Sequence, residues 1–444
     1  MATTLGVATL GCGGDVRDTG LSGGFGSGVG PSTPEDSTSG ADDASAADET
    51  GPKLDVNMDD TEGAACPEGS AGGGQEGDYE FSVIWIANSG QGTVSKIDTI
   101  TATELARYYT GPPEDGDYVL HDPSRTSVNL RGDVVVANRS TWGEASSFTK
   151  ITGEAEICPD RNGDGEIRTS QGPNDVLPWG EDDCVEWNYV VPSNNARAVA
   201  WDAGLDECGF IDKPNVWVGY RHTDGFVRID LVDGDQGTLI EQVVIDDPTY
   251  PADGYGIYGG AADGDGNFWG NNNGVAIFVD RETFQWSLHD GGGYGFALDE
   301  EGNPWGSWGS GRVAQTDIDA GYEVDVFVGA AGGYDRGIAI DQDQYLWLVT
   351  NDPCGIARFD LATLTWVDPH LPWDGCMEPV GVSIDAEGHV WVVDREANRA
   401  LKMRPNEPGL GVEILAEVTG LVDPYTYSDM TGAALNLVVN PPEG

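Results

Sequence analysis

The sequence predicts an all-β protein, a seven-bladed β-propeller, and three observations carry that prediction. A short apolar strand, usually centred on Trp, recurs seven times between residues 83 and 394. Each copy is followed by a second strand, and six are preceded by a small-residue strand that ends in a polar turn. No helical period separates the copies, and the Gly-rich hairpins fit four-stranded blades better than alternating strand and helix.

The central strands, in order, are VIWIAN (83–88), DVVVAN (133–138), NVWVGY (215–220), NFWGNN (267–272), NPWGSW (303–308), YLWLVT (345–350) and HVWVVD (389–394). The strands after them read TVSKID, FTKIT, FVRID, AIFVD, VAQTD, IARFD and ALKMR. The leading strands and turns are RTSVNLRG, RAVAWDAG, GGAADGDG, GFALDEEG, GIAIDQDQ and GVSIDAEG, which belong to copies two to seven. The first copy lacks a leading strand, and YTYSDMTG (425–432) has the missing length and ending. Supplied from the C-terminus, it closes the ring and removes the two exposed sheet edges an open array would leave. The propeller is expected over residues 79–440. Successive centres lie roughly 40–50 residues apart, as blades do, except across 135–217, where an insertion over residues 153–192 falls in the second blade.

The chain of 444 residues carries a formal charge of −54, which disfavours nucleic acid and anionic membrane surfaces as partners. Residues 13–78 are Gly, Ser, Ala, Thr and acid with almost no large apolar side chain, and read as a flexible acidic tether unable to offset its ordering entropy. Residues 1–12 end in TLGC, a lipobox-like sequence in which Cys12 would be lipidated, although no Lys or Arg precedes the apolar run. Elsewhere no run approaches the ~18 apolar residues of a membrane span, so contact with a membrane is expected only through that lipid. Six further cysteines form an even set, expected of an exported protein. Local spacing pairs Cys158 with Cys184 and Cys354 with Cys376, leaving Cys66 with Cys208.

The insertion opens with CPDRNGDGEIRTSQ (158–171). Asp160, Asn162 and Asp164 stand at positions one, three and five of a calcium-type loop, Gly165 permits the turn, and Glu166 offers a carbonyl at position seven. Position twelve is Gln171 rather than a bidentate acid, and Asp182 or Asp183 could fold back in its place. Ca²⁺ bound here has a structural role. Along the axis, aligned leading strands bring Ser124, Arg197, Tyr258, Tyr294, Arg336, Val380 and Pro424 into one ring. The next ring holds Arg125, Ala198, Gly259, Gly295, Gly337, Gly381 and Tyr425. Arg125, Arg197 and Arg336 with Tyr258 and Tyr294 could hold an anion by forked hydrogen bonds and stacking. The competing reading is that these Arg offset the protein's own acid.

The stretch VIWIANSGQGTVSKIDTITATELARY resembles the NHL-type and YVTN-type bacterial propeller repeats. The inner strand followed by a Trp strand is similar to the streptogramin B lyase (virginiamycin B lyase)-like superfamily, over about residues 80–438. That resemblance implies a metal-assisted elimination by His and Glu at the channel mouth, with a His just ahead of an inner strand. Here the matching positions carry no His, and His121, His222, His289, His370 and His389 lie elsewhere. The activity is therefore not carried over. The expectation is a monomeric, extracytoplasmic, lipid-anchored binding propeller without catalysis, its partner a protein, a glycan or a small anion. The alternative is a metal-dependent lyase or lactonase with an axial metal.

Overall fold

Seven sheets stand around one axis in a computed structural model that describes residues 82–441, apart from 142–144, 162, 194, 206–212, 248–249, 251–255 and 273. The first is three-stranded: β1 (Val83–Asn88), β2 (Thr93–Asp98) and β3 (Thr103–Tyr109). The second comprises β4 (Pro123–Val128), β5 (Val134–Asn138), β6 (Ser146–Ile151) and β7 (Val185–Val191). The third holds β8 (Ala198–Trp201), β9 (Asn215–Arg221), β10 (Val227–Asp233) and β11 (Leu239–Ile245), and the fourth β12 (Gly259–Ala262), β13 (Phe268–Asn272), β14 (Val275–Val279) and β15 (Trp286–Asp290). The fifth is β16 (Phe296–Leu298), β17 (Pro304–Ser307), β18 (Arg312–Asp317) and β19 (Glu323–Val328). The sixth is β20 (Asp335–Ile340), β21 (Tyr345–Asn351), β22 (Cys354–Asp360) and β23 (Thr365–Leu371). The seventh is β24 (Pro379–Ile384), β25 (Val390–Asp394), β26 (Arg399–Pro405) and β27 (Val412–Thr419). Every pair is antiparallel within its blade, and the inner strands β4, β8, β12, β16, β20 and β24 pack side by side in that order.

The chain closes as its repeats require. Trp85 N–H donates to the Met430 carbonyl at 2.9 Å, Tyr425 N–H to Ala87 O at 3.0 Å, and Ala87 N–H to Thr426 Oγ1 at 2.7 Å. The closing segment is irregular, with a single bridge between Asn88 and Pro424, because Thr426 substitutes a side-chain oxygen for a backbone one. A helix unforeseen in the sequence follows it, α1 (Ala433–Val439), which buries Leu435, Leu437 and Val438 against β12, β16 and β24 at the far end of the axis.

Large indoles fill the spaces between blades: Trp85, Trp217, Trp305, Trp347 and Trp391 are all buried. Each indole N–H needs an acceptor there. In the last three blades the turn Asp six residues earlier supplies it, Asp299, Asp341 and Asp385 accepting at 2.9, 2.7 and 2.9 Å. The other oxygen of the same Asp takes the N–H of the residue four further on, which fixes the hairpin. Trp85 and Trp217 instead donate to the turn carbonyls of Gly132 and Gly266 in the next blade.

The second blade's outer strand, β7, comes from within residues 153–192, so the inserted loop is 152–184 and the strand's pairing with β6 ends it at Val185. The disulfides Cys158–Cys184 and Cys354–Cys376 are both formed. They fit an oxidising compartment. Cys12, Cys66, Cys208, the acidic segment 13–78 and the leader 1–12 lie outside the described residues. Among the described residues no helix is long and apolar enough to cross a membrane.

Candidate functional site

The axial mouth is built where the inner strands begin. In three blades the inner strand starts with a register shift, at Pro123/Arg125, Asp335/Ile338 and Pro379/Gly381. Such bulges re-aim side chains at a sheet's end. Here they bracket Ser124, Arg336 and Val380.

Five side chains expected at this mouth do come together. The Arg197 guanidinium lies 4.8 Å over the Tyr258 ring, and Arg336 lies 5.0 Å over Tyr294. The Tyr258 and Tyr294 rings are 5.7 Å apart. Arg125 reaches the carbonyls of Tyr427 and Tyr294, each at 3.4 Å. Val380 instead packs into the core between the seventh and first blades, Ser124 is buried, and Pro424 joins the closing bridge.

The sequence reading missed several members of the cluster. Tyr427 is fully buried beneath Arg125, whose guanidinium carbon sits 3.6 Å from the ring centroid. Arg197 Nη1 donates to the Tyr427 phenol at 3.1 Å, and Tyr294 stacks on its ring at 4.8 Å. Arg139 and Arg395 lie 4.5 and 5.2 Å over Tyr425, whose hydroxyl pairs with that of Tyr294. A periodic signal was present: Arg139, Arg221 and Arg395 each stand four residues beyond the central residue of their repeat.

The charges divide unevenly. Arg336 and Arg395 meet Glu378 at 3.3 and 3.6 Å, Arg395 also meets Asp423 at 2.7 Å, and Arg139 pairs with Asp122. Arg125 is 1% exposed and has no carboxylate partner among the described residues, and its Nε has no acceptor. Burial pushes the Arg125 guanidinium down from its ordinary range, against the pull of Tyr427 and Tyr294. Burial also raises Glu378, over the opposing effect of Arg395 and Arg336. Tyr294 is raised well above an ordinary phenol by burial and by Tyr425 and Tyr427.

In the calcium-type loop the expected acids accept backbone amides of the chain itself. Asp160 accepts the amides of Gly163 and Gly165 at 2.7 and 2.8 Å, and Asp164 accepts that of Glu166 at 2.9 Å. These contacts make the loop's turn, with Gly165 at φ +87°. Asp182 accepts the amide and hydroxyl of Ser170, and Asp183 accepts the amides of Arg161 and Arg168. Both acids are buried and hold the returning chain in place. Asn162 lies outside the described residues. Among the described residues three ligand-type side chains converge only at Asp385, Glu387 and His389. There Lys402 Nζ stands 3.4 Å from Asp385 and 2.8 Å from Glu387, so an ammonium already serves that group.

The histidines are engaged elsewhere: His121 bonds to the Pro112 carbonyl, His222 accepts the Asp224 amide, and His289 stacks on Tyr322. His389 sits beside Asp385, and His370 lies in the outer strand of the sixth blade.

No family model matches this sequence, and no curated protein matches it. Solved structures do share its fold. A protein from Lactobacillus plantarum is 13% identical over 78% of this chain and 97% of its own, with a TM-score of 0.51. A proposed 6-phosphogluconolactonase from Bacteroides uniformis is 14% identical over 77% and 96%, also with a TM-score of 0.51. Virginiamycin B lyase from Staphylococcus aureus is 14% identical over 69% and 88%, with a TM-score of 0.46.

Proposed function

We propose that this chain is an extracytoplasmic binding propeller, not an enzyme, and that it takes a small anionic ligand at the axial mouth. One observation carries the reading: Arg125 is buried with no carboxylate partner among the described residues, in a chain with 76 acids and 22 bases. A buried guanidinium is costly unless something compensates it. A carboxylate, sulfate or phosphate oxygen supplies that compensation, and the Arg and Tyr around it provide forked donors and stacking faces. The absence of any His from the ring argues against transfer of lyase chemistry. A second part of the reading is structural: Ca²⁺ held by Asp160, Asn162, Asp164 and the Glu166 carbonyl would stiffen the second-blade loop. Anchoring through Cys12 belongs to the same reading.

Calorimetry with sulfate and acetate tests the mouth. The parent protein should bind at least one of them, and Arg125→Gln should lose that binding while keeping its melting temperature within a few degrees. Absence of binding by both anions would refute the anion reading. An axial metal located by anomalous scattering would revive catalysis.

A further inference from the structure

Resting on the anion reading, we infer that the Tyr427 phenol is the mouth's own counter-anion: without ligand it ionises against Arg125 and Arg197, and a captured anion returns its proton. The exchange balances simply. A monoanionic ligand brings one negative charge, solvent supplies one proton to the Tyr427 oxygen, and the charge near the two guanidiniums is unchanged; a dianion such as sulfate takes up the same proton and leaves the site one unit more negative.

The geometry comes first. Tyr427 is fully buried, lies face-on to Arg125 at 3.6 Å, and receives a hydrogen bond from Arg197 at 3.1 Å. The groups facing it are Arg125 from β4, Arg139 beyond β5, Arg197 ahead of β8, Tyr294 ahead of β16, and Tyr425 on its own segment. Further out stand Arg336 and Arg395, and both are paired with Glu378. Among the described residues the groups that face Tyr427 are arginines and tyrosines, and no carboxylate is among its ring or hydrogen-bond partners. A neutral phenol would leave Arg125 uncompensated in a low-dielectric site, whereas a phenolate cancels one charge at contact distance.

The electrostatics agree with the geometry. Burial alone would push the Tyr427 phenol up, but Arg125, Arg197 and Arg139 outweigh it and hold it down at about 6. Its stacking partner Tyr294 moves the other way and stays protonated, able to donate. The same arrangement explains how an anion site persists in the unliganded protein: the phenolate occupies it electrostatically until a better anion arrives.

Tyrosinate absorbance in the near ultraviolet, followed in the full chain across a pH titration, tests this. One tyrosine should titrate ahead of the others, disappear in Tyr427→Phe, and shift to higher pH in Arg197→Gln. Sulfate, whose charge is constant over this range, should lower that absorbance at a fixed pH just above the transition. Calorimetric sulfate affinity should fall about tenfold per pH unit above the transition, and should be flat in Tyr427→Phe. Melting temperatures establish that both variants are folded, and Arg197→Gln keeps the test alive if Tyr427→Phe is not. If no early tyrosinate appears while sulfate still binds, the inference is overturned and the anion reading survives. An early tyrosinate that saturating sulfate does not reduce also overturns it. If the early tyrosinate is present and neither sulfate nor acetate binds at any pH, the anion reading falls and the exchange falls with it.

Discussion

Lys402 donates from Nζ to the Thr99 carbonyl oxygen at 2.8 Å, and so ties the seventh blade to the first. The contact belongs to a series. Arg358 of the sixth blade donates to Asn406 O of the seventh at 3.0 Å, and Lys96 of the first donates to Gly153 O beyond β6 of the second. Lys96, Arg358 and Lys402 pair directly with Trp85, Trp347 and Trp391 on the neighbouring strand. The first, sixth and seventh repeats thus place an indole and a long cation side by side. The indole fills the space between blades and the cation reaches a carbonyl in the next one. Asp385 and Glu387 neutralise Lys402, which makes its burial tolerable.

Lys402→Met should therefore destabilise the protein by about 3 kcal/mol, the scale for removing one partner of a buried pair. The loss leaves Asp385 facing an apolar chain and the Thr99 carbonyl without its donor. Chemical denaturation measures it, with Lys402→Arg as the milder comparison. A loss within error of zero would show that the ammonium contributes nothing across the seam.

Truncation after Asp423 removes Pro424 to Met430, which satisfy β1, together with α1. The first blade would then be left with an open edge, and an open edge invites pairing with other chains. The expected result is loss of a cooperative transition and the appearance of larger species on size exclusion. A truncated chain that melts like the parent and elutes at the same volume would mean that closure adds little.

The ring was legible because each blade repeats the same demand: a wide side chain between sheets and a small-residue strand at the axis. Trp85, Trp217 and Trp391 announce the first, and the stretch from Gly259 the second. Arg125, Arg197, Arg336, Tyr258 and Tyr294 were legible for the same reason, since they share positions along the inner strands. Tyr427 was not, because it belongs to the closing segment, whose register against β1 is set by Thr426 Oγ1 rather than by a regular ladder. Nor was α1: Leu435, Leu437 and Val438 give no clear helical period over seven residues, and only the packing against β12, β16 and β24 selects the helix. The acids Asp182 and Asp183 were legible beside the loop, but composition does not reveal the backbone amides they accept.

Asp341 offers a pH test of the turn design. Burial, with a smaller contribution from Asp343, raises its carboxyl from 3.8 to about 6, despite hydrogen bonds from Trp347 and Tyr345. The folded state therefore favours the protonated acid. Its contribution is fully present below about pH 4 and is lost as pH rises through about 6, a span of about 3 kcal/mol at ~1.4 kcal/mol per pH unit. Asp341→Asn retains an oxygen for the indole and cannot titrate. Stability profiles from denaturation at a series of pH values should differ in slope between pH 4 and 6 and run parallel above it. Parallel profiles throughout would show that Asp341 ionises normally.

The second-blade loop tests the calcium part of the proposal. Asp160 and Asp164 already hold the turn that such a loop needs, accepting the amides of Gly163, Gly165 and Glu166. The disulfide Cys158–Cys184 fixes its two ends, and Gly172 N–H anchors its far side on the Leu105 carbonyl at 2.7 Å. The cation would thus bind a loop whose backbone is largely set, so that most of its binding energy appears as added stability. At one hundred times its dissociation constant that gain is about 2.7 kcal/mol. Calcium should raise the parent's melting temperature and a chelator should reverse the rise, while Asp164→Ala should melt at one temperature in both conditions. The Arg168 guanidinium, 3.1 Å from Asp164 in the structure, would have to turn outward as the ion enters. Arg168→Gln should therefore strengthen calcium binding, and a parent protein whose melting ignores calcium would remove the ion from this loop altogether.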